Sequence, residues 1–248
     1  MIRPKMLVGT VGVALLIAGS AHAEGEGEHR FGAKGFIVSA DRLAPVISYE
    51  SVKSTQADGG SQTQSRLSLA FFNNGPFGFF GTFYNLPRIA FDWLPVDNVT
   101  IGGATWFYTQ LSASDSLSPA NGASKSTDQP KVTYWGIAPR VGYVVRMGDL
   151  LSFWPRAGVE YHNVGTSSVN GSASSTITQL SVEAEALFVI SPWNHFGFTV
   201  GPTADLPITG KSTQTSTGTG VGGTTTVSTS VDSAMLQIGI SAGMLGHF

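Results

Sequence analysis

Ser233-Ala234-Met235-Leu236-Gln237-Ile238-Gly239-Ile240-Ser241-Ala242-Gly243-Met244-Leu245-Gly246-His247-Phe248 is the stretch that decides the fold. Taken alternately, Leu236, Ile238, Ile240, Ala242, Met244, Gly246 and Phe248 form an apolar row, and Gln237, Gly239, Ser241, Gly243, Leu245 and His247 a smaller or more polar one. Successive strand side chains point to opposite faces. The alternation therefore predicts a long β-strand with one greasy side.

The same period of two recurs along the chain. It predicts strands over 35–49, 83–94, 99–111, 132–145, 150–162, 176–190 and 195–206, with 233–248 as the eighth. In the first, Phe36, Val38 and Ala40 face out and Ser39 and Asp41 face in. The phase slips at Arg42-Leu43, after which Leu43, Pro45, Ile47 and Tyr49 take the apolar side, which predicts a bulge. Turn sequences at 95–98, 146–149 and 191–194 are short, whereas connections near 50–82, 112–131, 163–175 and 207–232 are long. Arg66 to Phe72 also alternates. A ninth strand would place the two termini on opposite sides of a barrel, so this segment is assigned to the first long loop, which also holds Phe77, Phe79 and Phe80. The fold class that follows is all-β, an eight-stranded antiparallel up-and-down transmembrane β-barrel.

The amino terminus has the parts of a secretory signal in order: Arg3 and Lys5, an apolar run from Met6 to Ala18, and the small-x-small site Ala21-His22-Ala23. The expected organisation is a signal peptide over 1–23, a charged periplasmic leader over 24–33 and a barrel over 34–248. No later run reaches the ~20 apolar residues of a spanning helix, so only a closed barrel would place the chain in a membrane. Removal of Arg3 and Lys5 leaves 12 of the 14 basic residues against 16 acidic ones, a formal charge of −4. With no Lys/Arg-rich run, a nucleic-acid partner is not expected. The chain has no cysteine, which excludes disulfides, thiolate metal sites and a cysteine nucleophile.

In its carboxyl-terminal stretch and its strand pattern the chain resembles small bacterial outer-membrane β-barrel proteins of the OmpA/OmpX type. Ser241, Gly243 and Phe248 match the assembly signal of such proteins, and Gly246 stands where a bulky residue is usual. The resemblance implies residence in the bacterial outer membrane, with the assembly machinery and outer-membrane lipid as partners. It implies a non-enzymatic structural or surface-contact role with a closed polar lumen and no cofactor. A narrow passive pore and an outer-leaflet lipid-modifying enzyme are the alternatives. No extracellular ligand of the loops can be named.

A phrase recurs at Pro87-Arg88-Ile89-Ala90-Phe91, Pro139-Arg140-Val141-Gly142-Tyr143 and Pro155-Arg156-Ala157-Gly158-Val159, with Pro outward and Arg inward each time. Buried charges are usually paired. The alternation sends Asp41, Asp92, Glu160, Glu183, Glu185 and Asp205 inward too, which predicts a lumen charge network of these carboxylates with Arg88, Arg140 and Arg156. Glu183 and Glu185 are the expected partners of Arg156, and Asp92 lies near Arg88. Trp106, Tyr108, Tyr134 and Trp154 would complete the closure. Proline removes a ladder donor and a closed barrel has no edge strand, so bulges are expected at the three prolines. His29, His162, His195 and His247 are scattered, without metal-ligand spacing, and His162 reads as a polar rim residue. Residues 207–232 are rich in Thr, Ser and Gly, the composition of a flexible or hairpin loop. Trp93, Tyr143, Trp193 and Phe248 near one set of strand ends, and Tyr49, Phe83, Trp135 and Tyr161 near the other, fit two aromatic girdles.

Overall fold

A computed structural model of the chain describes residues 31–55, 61–69, 86–109, 114–117, 125–128, 130–167, 173–220 and 223–248. The expected signal peptide and most of the leader lie outside the described residues, as do Phe77, Phe79, Phe80 and Phe83. Eight strands make the wall: β1 (Gly35–Thr55), β2 (Arg88–Val96), β3 (Val99–Thr109), β4 (Lys131–Tyr143, resumed at Val145–Arg146), β5 (Leu151–Ser167), β6 (Ala173–Trp193), β7 (Phe196–Gly220) and β8 (Gly223–His247). Each pairs antiparallel with the next, and β8 pairs with β1 from Ile37↔His247 to Thr55↔Asp232, so the sheet closes. The main chain of Phe248 exchanges two 2.9 Å hydrogen bonds with Phe36, which fixes the end of the chain beside the start of β1.

The wall is inside-out for a soluble protein. Phe91, Trp93, Ile101, Phe107, Ile137, Val141 and Trp193 are exposed on the outer surface, while Arg42, Arg88, Asp92, Glu160 and Glu183 are fully buried within. Only a surround that prefers apolar surface and cannot bond backbone groups suits this arrangement. A closed barrel in lipid meets both conditions. The chain is a transmembrane β-barrel of the outer-membrane type. Aromatic rings cluster on the outer surface near the end where the chain terminates, with Phe36 stacked on Phe248 at 5.1 Å and Trp193 against Phe196 at 5.8 Å. Trp135 packs on Tyr161 at 5.6 Å towards the other end.

The long connections differ from the reading as loops. β5 and β6 remain paired to Ser167↔Ser174, and β7 and β8 to Gly220↔Gly223, so 163–175 and 207–232 are mostly strand. Residues Ser61–Leu69 also form a strand, which the loop assignment missed. It pairs with the far half of β1 from Ile47↔Leu69 to Thr55↔Ser61, on the flank where β2 pairs with the near half. The segment thus continues the β2 position and adds no ninth wall strand. Ser114–Leu117 and Lys125–Asp128 make a small separate ribbon in the 112–131 connection.

The bulge in β1 is present: Ala40 pairs with Met244 and Ala44 with Ala242, so three residues oppose Gly243 alone. Arg42 takes φ 54° there, and Asp41 and Arg42 are both buried. Bulges at the Pro-Arg phrases are not found. Bridges Ile137↔Tyr161 and Arg140↔Gly158 keep one register across Pro139, and Gly142↔Arg156 and Val145↔Phe153 keep it across Pro155. Pro87 precedes the first residue of β2. A missing bridge costs less than a shifted register, which would turn every later side chain to the wrong face.

Glycine supplies room for the large lumen side chains. A Cβ on Gly136 would stand within the indole of Trp106, whereas a Cβ on Gly165 would meet nothing within 4 Å. Gly136→Ala should therefore lower the unfolding temperature of the refolded barrel, at an overpacking cost of ~1–3 kcal/mol. Gly165→Ala should leave it unchanged or raise it slightly. Equal effects at the two positions would contradict the packing described.

Candidate lumen charge network

Strand alternation aims side chains from β1, β2, β4, β5, β6 and β7 at one another across a narrow interior. An eight-stranded barrel is just wide enough for side chains to fill. Four arginines, Arg42, Arg88, Arg140 and Arg156, meet six carboxylates, those of Asp41, Asp92, Glu160, Glu183, Glu185 and Asp205. All ten are buried.

Nearer the chain termini, Arg140 grips Asp92 with two bonds, Nε to Oδ1 at 3.0 Å and Nη2 to Oδ2 at 2.6 Å, and reaches Asp41 at 2.6 Å. Arg156 pairs with Glu185 and lies 3.2 Å from Asp41. Its guanidinium sits 4.3 Å from the centroid of the Trp154 ring, and Arg140 sits 6.0 Å from it. Trp154 donates from Nε1 to Thr100 Oγ1 at 3.1 Å, which fixes the ring.

Further towards the long hairpins, Arg42 binds Asp205 through Nη1 at 2.6 Å and Nη2 at 2.8 Å, and Glu183 at 2.8 Å. It also reaches Glu185 at 3.4 Å, which joins the two groups. Arg88 bonds Glu183 at 2.6 Å and Glu160 at 2.9 Å, and lies 4.1 Å from the centroid of Trp106. The charged layer is thus held between two indoles, with Trp154 on one side and Trp106 with Tyr134 on the other. Guanidinium groups over ring faces gain cation–π attraction, strongest where water is excluded.

The carboxylate oxygens of Glu160, Glu183 and Asp205 lie within 4.8 Å of one another, a spacing that would suit a metal ion. Arg88 reaches all three, so a guanidinium already supplies the positive charge at that point.

All nine residues read from the sequence as a lumen network, Asp41, Arg88, Asp92, Arg140, Arg156, Glu160, Glu183, Glu185 and Asp205, are brought together. The individual pairings differ. Glu183 serves Arg42 and Arg88, not Arg156, and Asp92 serves Arg140, not Arg88. Arg42 is the member that alternation missed, because it lies inside the bulge where the phase is undefined. Its charge, directly beside the inward Asp41, was the available signal. His162 is not a rim residue: it is 2 % exposed inside the lumen, with Nδ1 3.1 Å from Glu160 Oε1. Tyr108 is only partly buried, at the margin of the Trp106–Tyr134 cluster.

Ser241, Gly243 and Phe248 have structural surroundings of their own. Ser241 is buried. A Cβ on Gly243 would stand 2.6 Å from the Ala40 carbonyl oxygen and 2.8 Å from Thr199 Oγ1, so the β1 bulge needs glycine opposite it. A Cβ on Gly246 would come 3.2 Å from the Phe248 ring, a tight approach to which the ring would have to adjust.

Arg42→Ala removes the shared partner of Glu183, Glu185 and Asp205. Taking one member from a buried ionic group typically costs ~3–5 kcal/mol. Thermal unfolding of the detergent-refolded variant should show a marked drop, and a change no larger than that of Lys53→Ala would contradict the network.

No family model matches the chain, and no curated protein matches it. Among solved structures, the chain is similar to the outer membrane protein OprG from Pseudomonas aeruginosa, with 13% identity, 90% of this chain and 100% of that chain covered, and a TM-score of 0.49. It is similar to Neisserial surface protein A, at 12% identity, 88% and 99% coverage and a TM-score of 0.37. It is also similar to Ail, the attachment invasion locus protein of Yersinia pestis, at 10% identity, 87% and 99% coverage and a TM-score of 0.33. At such identities the likeness concerns the fold alone.

Proposed function

We propose that the protein is a non-enzymatic outer-membrane barrel whose lumen is closed and whose work is done by the hairpins it holds above the membrane. The observation that carries this reading is the charged layer between Trp154 and Trp106. Ten buried ionic side chains and two indoles occupy the cross-section where a solute would have to pass. An ion entering there would have to part guanidinium–carboxylate pairs in a poorly solvated space, and leaving a buried charge unpaired is strongly unfavourable.

The length of the strands supports the second half. About 9–11 residues suffice to cross the hydrocarbon core. β7 and β8 have 25 residues each, so more than half of that hairpin stands clear of lipid. Its outer part carries cross-strand hydroxyl pairs, Thr213 with Ser230 at 3.0 Å and Thr215 with Ser228 at 3.3 Å. A paired, uncharged ribbon of this kind keeps its shape without a hydrophobic core beneath it. The membrane partners of this reading are outer-membrane lipid around the apolar belt and the assembly machinery that recognises Ser241, Gly243 and Phe248.

Planar-bilayer recording of the purified, refolded protein tests the closed lumen. At physiological salt it should show no steady current. Sustained, reproducible conductance steps would overturn the reading in favour of a narrow passive pore.

A further inference from the structure

The charge network is not the only obstruction in the lumen. Phe31, which precedes β1, is turned into the end of the barrel next to the termini and is 5 % exposed. Its ring stands edge-on to Trp154 at 5.5 Å and to His247 at 5.6 Å. Around it, Ile37 of β1, Leu94 of β2, Val144 of the β4 interruption, Val189 of β6 and Leu245 of β8 form one buried apolar cluster. These positions break the polar-in rule of the barrel. They make sense only with an apolar occupant at the centre, since bare apolar side chains would otherwise line a wet mouth.

The backbone that delivers the ring is held by contacts lying outside the barrel ladder. Gly32 takes φ +88°, and its carbonyl oxygen accepts from Asn98 N at 2.8 Å. The Phe31 carbonyl oxygen accepts from Arg146 Nε at 3.2 Å, and Lys34 N donates to Asp97 Oδ1 at 3.0 Å. A cavity of about 190 Å³ adjoins the ring, lined by Phe31, Arg146, Leu150, Ser152 and Ser191 among others.

We propose that Phe31 is a stopper for the periplasmic mouth, a second closure separate from the charge network and built from a residue that belongs to no wall strand. The proposal deepens the closed-lumen reading and rests on it. Two barriers in series follow: ionic at mid-height and apolar at the mouth.

Thiol accessibility tests this directly, since the chain has no native cysteine. Val189→Cys is nearly isosteric and places a reporter in the cluster around Phe31. In detergent-refolded barrels, with folding checked by heat-modifiable gel migration, a hydrophilic methanethiosulfonate should label Val189→Cys slowly. Adding Phe31→Ala should speed labelling about tenfold or more, because thiol reactivity follows exposure. Phe31→Leu, which refills the mouth, should restore slow labelling. An unchanged rate in the folded Phe31→Ala barrel overturns the stopper. The two readings fail differently. A silent wild-type barrel with labelling insensitive to Phe31→Ala sinks the stopper alone. Steady wild-type current with labelling still sensitive to Phe31→Ala sinks the closed lumen and leaves an apolar plug at the mouth.

Discussion

A guanidinium ion taken out of water must find carboxylate oxygens in good geometry, and four such ions share the interior of this ring of eight strands. Most of the local structure serves that requirement. The β1 bulge places Asp41 and Arg42, neighbours in sequence, both inside. Arg42 then reaches three carboxylates on β6 and β7, and through Glu185 ties the Arg140–Arg156 group to the Arg42–Arg88 group. Gly243 is needed opposite the bulge, and Gly136 opposite Trp106, because the wall has no space for a Cβ where the network pushes against it. Trp154 lies against the layer on one side and Trp106 on the other, and buried pairs of this kind are strengthened wherever the effective dielectric is low.

The outer surface answers to a different constraint. Lipid offers no hydrogen bonds, so the ladder has to be complete wherever the chain meets it. Next to the prolines at 139 and 155 two consecutive bridges are missing on the β4–β5 seam, yet the register continues past both gaps. A parallel device operates where β7 separates from β8 between Asp205 and Lys211. There Gln179, projecting from β6, bonds both the N–H and the carbonyl of Met235 at 2.9 and 2.8 Å, which satisfies that residue's backbone where the register shifts.

Alternation made most of this legible beforehand. Leu236 to Phe248 identified the last strand, and repetition of the pattern identified the closed all-β barrel, because period two is a strictly local property. Inward phase also collected the acidic and basic residues of the lumen. Partner choice was not legible: whether Glu183 meets Arg156 or Arg88 depends on ring closure and strand stagger, which no local pattern contains. Arg42 escaped because a bulge erases the phase at the position where it matters. The hairpin beyond Lys211 read as loop because Thr, Ser and Gly carry no apolar period, although cross-strand pairing suffices to hold it. Phe31 read as leader because a single aromatic residue ahead of a strand has no period at all, and its burial among side chains of β1, β2, β5, β6 and β8 exists only in the assembled barrel.

The account stands or falls on whether the buried ion pairs are energetically coupled. A double-mutant cycle on Arg156 and Glu185, using Arg156→Ala, Glu185→Ala and the double variant, measures that coupling from reversible unfolding of the refolded barrel. A desolvated pair of this kind should couple by more than ~1.5 kcal/mol, as close interfacial charge pairs do. Coupling within the ~0.2–1 kcal/mol of an exposed pair would mean that water reaches the layer, and would contradict a lumen closed by its charges.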